Sequence, residues 1–191
     1  MPQTVRQLLT AVRTLLVLTV LLGIGYPLVI LGIAQLGLQR QAHGSLLADS
    51  SGRVVGSALI GQQFDGDQWF QPRPSAGEYD ALASGGTNAG PNDGELAATV
   101  AQRRTTIADR EGVPEDQVPA DAVTSSASGL DPDISPAYAV LQVDRVARAR
   151  GLPVRQVRRL VEEHLTRRSW GFLGQPRVNV VELNLALQRL S

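Results

Sequence analysis

The chain has 191 residues, 18 acidic and 18 basic side chains and a zero formal charge, enough for one folded domain and a shorter segment. It contains no cysteine, which excludes disulfides and thiolate metal ligands. Every basic residue is arginine, so the chain cannot supply the lysine of a Walker A loop or of the S-x-x-K serine hydrolases.

Residues 14–39 hold no ionisable side chain other than the phenol of Tyr26. As a helix, this run spans roughly 39 Å, beyond the ~30 Å hydrocarbon core of a bilayer. A secretory leader carries a shorter apolar region, about 7–15 residues, with a small-residue cleavage site soon after it. A buried helix of a soluble protein shows polar residues at helical spacing. Neither pattern is present, which predicts a transmembrane helix over 14–39. Arg6 and Arg13 precede the span with no acid beside them, whereas Arg40 and His43 are followed by Asp49. That slight bias predicts a cytoplasmic tail at 1–13, a linker at 40–52 and an extracytoplasmic domain at 53–191. Within the span, Gly25, Val29 and Gly32 share one helical face that admits a neighbouring helix, and Pro27 removes a backbone donor.

The outer part reads as an α+β domain, richer in helix in its second half. Residues 53–64 (RVVGSALIGQQF) predict a strand or hairpin. Residues 69–76 (WFQPRPSA) are held extended by Pro72 and Pro74, with Trp69 and Phe70 assigned to the core. SGGTNAGPND (84–93) is turn chemistry, after which Asp93 caps a helix that ends at Gly112. Leu96, Val100 and Ile107 lie along one side of it. A second loop spans 118–135, and Ser135 then caps a helix with Pro136 at its first position and Gly151 beyond its end. Its apolar stripe is expected through Val140, Val143, Val146, Ala147 and Arg150. Pro153 opens another helix, buried through Val154, Val157, Val161 and Leu165. Residues 178–190 predict a last helix capped by Asn179, whose start is equally readable as a strand.

Little of this carries catalytic chemistry. His164 lies among Glu162, Glu163 and Arg167 with no G-x-S-x-G elbow to provide a nucleophile. A membrane-tethered hydrolase using His164 with a serine and an aspartate, and a free-standing extracytoplasmic binding module, are two function classes these residues leave open. Asp65 with Asp67, and Asp131 with Asp133, do not extend into a calcium loop, so no metal site is expected. The SGGTNAG loop resembles an anion cradle only in preceding a helix. Arg73, fixed between two prolines, suits either an internal ion pair or a partner carboxylate. No arginine cluster is interleaved with aromatics as in a nucleic-acid site. Residues 41–144 carry 15 acids against 5 arginines and residues 145–191 carry 3 against 10, read as solvated faces or mutually attracting lobes, with a cation-attracting surface as the alternative.

Taken in order, VGSALIGQQF, WFQPRPSA, SGGTNAGPND, the segment 123–152 and GFLGQPRVNVVELNLAL (171–187) resemble the C subunit of the bacterial Kdp potassium-transporting P-type ATPase. The chain departs from that family at Asp133, often histidine, at Asp80, often asparagine, and at 125–128, often richer in serine and glycine. The resemblance implies a non-catalytic subunit of the bacterial inner membrane. Its partners would be a channel-like A subunit, an ATP-hydrolysing B subunit and a small F subunit, with ATP and potassium handled by the complex and no cofactor held by this chain. It further implies assistance to assembly and a raised ATP affinity of the B subunit. With the domain outside, that effect has to travel as coupling through the membrane helix or partners, and direct nucleotide contact is the less favoured reading. The residues expected to meet partners are Arg73, Ser75, Ser84, Gly85, Gly86, Asn88, Ser128, Gly129, Asp131 and Ser135, with Gly25, Pro27, Val29 and Gly32 packing in the membrane.

Overall fold

In the computed structural model, which describes residues 2–190, the chain divides into the units Met1–Ser45 and Leu46–Ser191. The first is a helix running from Gln3 to Gly37, built as α1 (Gln3–Val20), one π turn (Leu21–Gly25) and α2 (Tyr26–Gly37), followed by the short α3 (Gln39–Ala42). None of the most apolar window of this 35-residue helix is buried inside the protein. Leu15, Leu22, Val29 and Ile33 are each more than half exposed, so the helix needs lipid or a partner to cover it. Residues 3–13 continue the helix that precedes the apolar run. The π turn has an identifiable cause. Proline at position 27 has no N–H to give the preceding turn, and the N–H of Tyr26 reaches back to the Leu21 carbonyl, five residues away.

The second unit is α+β. Strand β1 (Leu46–Ala48) pairs antiparallel with β2 (Val54–Ser57), across an irregularity at Leu47/Ala48. The hairpin expected at 53–64 therefore takes its partner strand from the segment expected to be linker. A long irregular stretch leads to α4 (Gly94–Glu111), then a 3₁₀ turn (Glu115–Gln117) and α5 (Ala120–Val123). Strand β3 (Asp133–Ile134) precedes α6 (Pro136–Leu141), α7 (Val143–Arg150) and α8 (Val154–Glu163). Strands β4 (Leu165–Thr166) and β5 (Arg177–Asn179) form a hairpin, and α9 (Val180–Gln188) closes the fold. The three-stranded sheet has the order β3-β5-β4, antiparallel throughout.

Helix ends follow local chemistry. The Asp93 carboxylate accepts from the N–H groups of Glu95 and Leu96, and Gly112 ends α4 in the left-handed region at φ 69°. Ser135 and Asn179 cap α6 and α9 through the N–H groups of Tyr138 and Glu182. The core joins Phe70, Ile134, Val143, Val146, Val157, Val178, Leu183 and Leu187, each 2% exposed or less.

Five expectations are corrected. The helix from Pro136 to Arg150 is not continuous but turns at Gln142 (φ −81°, ψ −11°). Consequently Val140 is exposed, and Tyr138 and Ala139 occupy the core instead. Val154 is exposed too, with Leu160 taking its place beside Val157 and Val161, and Leu165 belongs to β4 rather than α8. The loop at 118–135 contains the helical turn α5 and strand β3.

Candidate functional site

The three loops singled out by sequence come together. Ser75 Oγ donates to the Gly129 carbonyl at 2.7 Å and accepts the N–H groups of Tyr79 (3.0 Å) and Gly77 (3.2 Å). Gly85 N–H donates to the Ser128 carbonyl at 2.9 Å, and Ser84 Oγ donates to the same oxygen at 3.1 Å. Gly129 has φ 69°, and a Cβ there would lie 2.9 Å from the Gly85 carbonyl oxygen and 3.3 Å from Ser75 Oγ. A Cβ on Gly86 would meet the Ala127 carbonyl at 3.0 Å. Glycine is thus what lets loop 84–93 lie against loop 123–135. Arg73 Nη1 pairs with Asp131 Oδ2 at 3.0 Å, while Nη2 donates to the carbonyls of Thr124 and Ser125. Tyr79 OH donates to the Arg73 carbonyl, and burial, reinforced by the Asp131 charge, raises its phenol above the ordinary range. Ser135 is committed elsewhere, donating to Asp121 Oδ1 while it caps α6. Asn88 is exposed at φ 53° and takes no part in these hydrogen bonds.

What positions the Arg73 loop could not be read from its own sequence. Asn184 Oδ1 accepts from Phe70 N–H and its Nδ2 donates to Phe70 O, both at 2.9 Å. Gln142 treats Gln71 in the same way, accepting at 2.6 Å and donating at 3.1 Å. Two buried amides on α9 and at the α6–α7 turn therefore act as surrogate strand neighbours for residues 70–71. Arg145, only 6% exposed, donates to the carbonyls of Asp67 and Trp69, to Gln142 Oε1 and to Glu111 Oε1. The Arg150 guanidinium lies 4.3 Å from the Trp69 ring centroid. The available signal was polar residues, Gln142 and Arg145, three apart amid an apolar stripe, and Asn184 inside VELNLAL.

An open groove of about 660 Å³ lies beside the loops, with Leu59, Ile60, Leu130 and Pro132 as its apolar wall and Arg73 and Asp131 in its lining. Its chemistry is that of a contact surface. No group of three or more potential metal ligands occurs among the described residues. The α4 N-terminus already holds the Asp93 carboxylate, and the Gly85 N–H is committed to Ser128, so neither is free for an anion. His164 Nδ1 lies 2.8 Å from the Leu160 carbonyl, an acceptor only, so this nitrogen donates and is not oriented by a carboxylate. The expected hydrolytic alternative thus lacks its usual orienting partner.

Comparison with known sequences decides what these loops belong to. The profile of one family, described as KdpC, K+-transporting ATPase, c chain, matches residues 8–189. The chain belongs to the KdpC family. A Potassium-transporting ATPase KdpC subunit of Mycobacterium bovis is 54% identical over 188 residues, covering 97% of this chain and 99% of the relative. Proteins of the same name from Gemmatimonas aurantiaca (55% over 177 residues, 91% and 88% covered) and Geobacter sulfurreducens (48% over 188 residues, 97% and 98%) agree. As a KdpC subunit, the chain is part of a potassium-transporting ATPase.

The positions where this KdpC chain differs from the expected pattern have structural accounts. Asp80 Oδ1 accepts the Leu82 N–H, which an asparagine oxygen would do equally. Asp133 is ion-paired with Arg177 at 2.8 Å; burial raises its carboxyl, against the pull of that arginine. Ser125 Oγ accepts from Arg103, which ties the second loop to α4.

Proposed function

We propose that this KdpC chain is a non-catalytic, single-span accessory subunit of a potassium uptake pump, with its N-terminus in the cytoplasm and residues 46–190 outside. The observation that carries this reading is the family match over residues 8–189 on a chain whose 35-residue N-terminal helix is uncovered. Arginines at 6 and 13, with no acid before the apolar run, support the orientation. The outer unit docks on the channel-like A subunit near the ion entrance, presenting the groove lined by Arg73, Ser128 and Asp131 together with the 84–88 loop, which is hydrogen-bonded to Ser128. Potassium passes through the A subunit and ATP is hydrolysed by the B subunit, a small F subunit completes the complex, and this chain holds no cofactor. Its effect on ATP use is transmitted as a coupling free energy through the helix and partner contacts.

Affinity purification of the tagged chain in mild detergent tests this directly. Co-elution with a P-type ATPase subunit and a larger channel-like subunit is expected, whereas recovery of the chain alone would overturn the subunit reading. The absence of native cysteine makes the topology accessible as well. Ser51→Cys, on an exposed turn, is expected to react with an impermeant maleimide added outside intact cells, and protection until lysis would reverse the orientation.

A further inference from the structure

One exposed feature takes no part in the clustered loops or the core. Between β4 and β5 the chain forms a narrow hairpin tip, closed by reciprocal hydrogen bonds between Ser169 and Leu173 at 2.9 and 3.0 Å. Trp170 at its apex is 85% exposed, with Phe172 at 68% and Leu173 at 45%. Trp170 sits at φ 52°, a region that a bulky side chain adopts only at a cost in free energy. A folded domain gains nothing internally from holding an indole in water in this way. Arg167 and Arg168 precede the apex and are exposed, and no aspartate or glutamate occurs anywhere in residues 164–181. In the acidic half of this unit such a tip would be balanced; here it is uniformly cationic.

We propose that this tip is a membrane-surface anchor, seating Trp170, Phe172 and Leu173 in the interfacial region of an anionic phospholipid bilayer while Arg167 and Arg168 bind lipid phosphates. The assignment rests on the reading of the chain as membrane-anchored. Three observations select lipid over a protein groove. The first is side-chain chemistry: tryptophan is the residue enriched at the headgroup level, and guanidiniums attract anionic leaflets. The second is form, since the apolar residues stand on a projecting turn with the arginines behind them in sequence, which matches partial insertion into a planar boundary. The third is connectivity: residues 38–45 alone separate α2 from β1, so the unit is tethered to the bilayer by a short segment. A second contact of this kind would restrict how the outer unit rotates about its tether.

The test uses the full chain carrying Ser169→Cys, a unique thiol at an exposed position, labelled with bimane and reconstituted into vesicles containing phosphatidylglycerol, alone and assembled with its partner subunits. Quenching by lipid-borne nitroxide with protection from aqueous iodide is the expected result in both preparations. Replacing both arginines (R167Q with R168Q) is expected to lower the ratio of lipid-quenched to iodide-accessible label about thirtyfold. Trp170→Ser with Phe172→Ser should leave the label fully open to iodide. Iodide access without lipid quenching in the unsubstituted tip would overturn the proposal, and so would shielding from both quenchers in the assembled complex, which would mean a protein covers it. Failure of the chain to remain with the vesicles would instead remove the anchoring on which the proposal rests.

Discussion

At the scale of single residues, much of the candidate site depends on what glycine and one buried arginine allow. Gly129 is positive in φ, and its α-carbon faces the Gly85 carbonyl so closely that any Cβ would lie 2.9 Å from it. Gly129→Ala is therefore expected to destabilise the second unit by about 1–3 kcal/mol and to part the Ser75, Ser84 and Ser128 contacts. Urea unfolding of the detergent-solubilised chain carrying Trp170→Phe, followed by Trp69 fluorescence, measures the first effect. The Arg145–Glu111 pair is more deeply enclosed, with side chains only 6% and 2% exposed. Arg145→Met would strand the Glu111 carboxylate and release the carbonyls of Asp67 and Trp69, costing about 3–5 kcal/mol. Burial raises the Glu111 carboxyl above its ordinary value, more strongly than Arg145 lowers it. A raised carboxyl binds its proton more tightly in the folded state, so its stabilising contribution is complete below the ordinary carboxyl range and is lost as pH rises through the raised range. The urea midpoint is thus expected to rise as pH is lowered from 7 through that range. Glu111→Gln should flatten this slope without abolishing it, because Asp133 is raised by burial in the same direction.

At the scale of elements, signals confined to a few neighbouring residues were readable and long-range ones were not. The caps Asp93, Ser135 and Asn179 and the terminators Gly112 and Gly151 act within one turn, and each stands where the sequence indicated. The turn at Gln142 has no local signature, because the groups its side chain meets are 71 residues away, in the backbone of Gln71. The pairing of β1 with β2 lacks one for a related reason, as Leu46–Ala48 has too few residues to show a period. For the site, RPSA, SGG and SGLDP were recognisable as loops, but their mutual contacts depend on Gly129 and Ser75 meeting across 54 positions. The long apolar N-terminal helix poses a sharper question, because its glycines are not needed by its own packing. A Cβ on Gly32 would meet nothing within 4 Å, and one on Gly25 only the Val20 carbonyl at 3.7 Å. If a neighbouring helix uses that face, Gly25→Leu and Gly32→Leu should weaken co-purification with the partner subunits while leaving membrane insertion intact. Undiminished recovery of partners would reduce α2 to a tether.

At the scale of the whole molecule, the uneven charge distribution is partly spent on the fold. Arg145 pairs with Glu111 and Arg177 with Asp133, joining the basic end of the chain to its acidic stretch. Other acids remain in solvent, among them Glu78 and Asp80, adjoining the loop that carries Ser75 and Tyr79. If the outer unit covers the ion entrance, such charges raise the local cation concentration before any specific binding. A unit charge about 10 Å from a potassium ion contributes about 0.4 kcal/mol in water, close to a factor of two. Glu78→Gln with Asp80→Asn is therefore expected to raise the potassium concentration needed for half-maximal ATPase activity about fourfold at low ionic strength. The two substitutions preserve size, and the new amide at position 80 keeps an oxygen for the Leu82 N–H, so the loop itself is retained. The difference should fall below about twofold at about 0.1 M inert salt, where the Debye length is about 10 Å, and vanish near about 1 M, where it is about 3 Å. An effect that persisted at high salt would point to a short-range contact instead. No effect at low salt would leave these acids as ordinary solvating groups and confine the second unit's contribution to assembly.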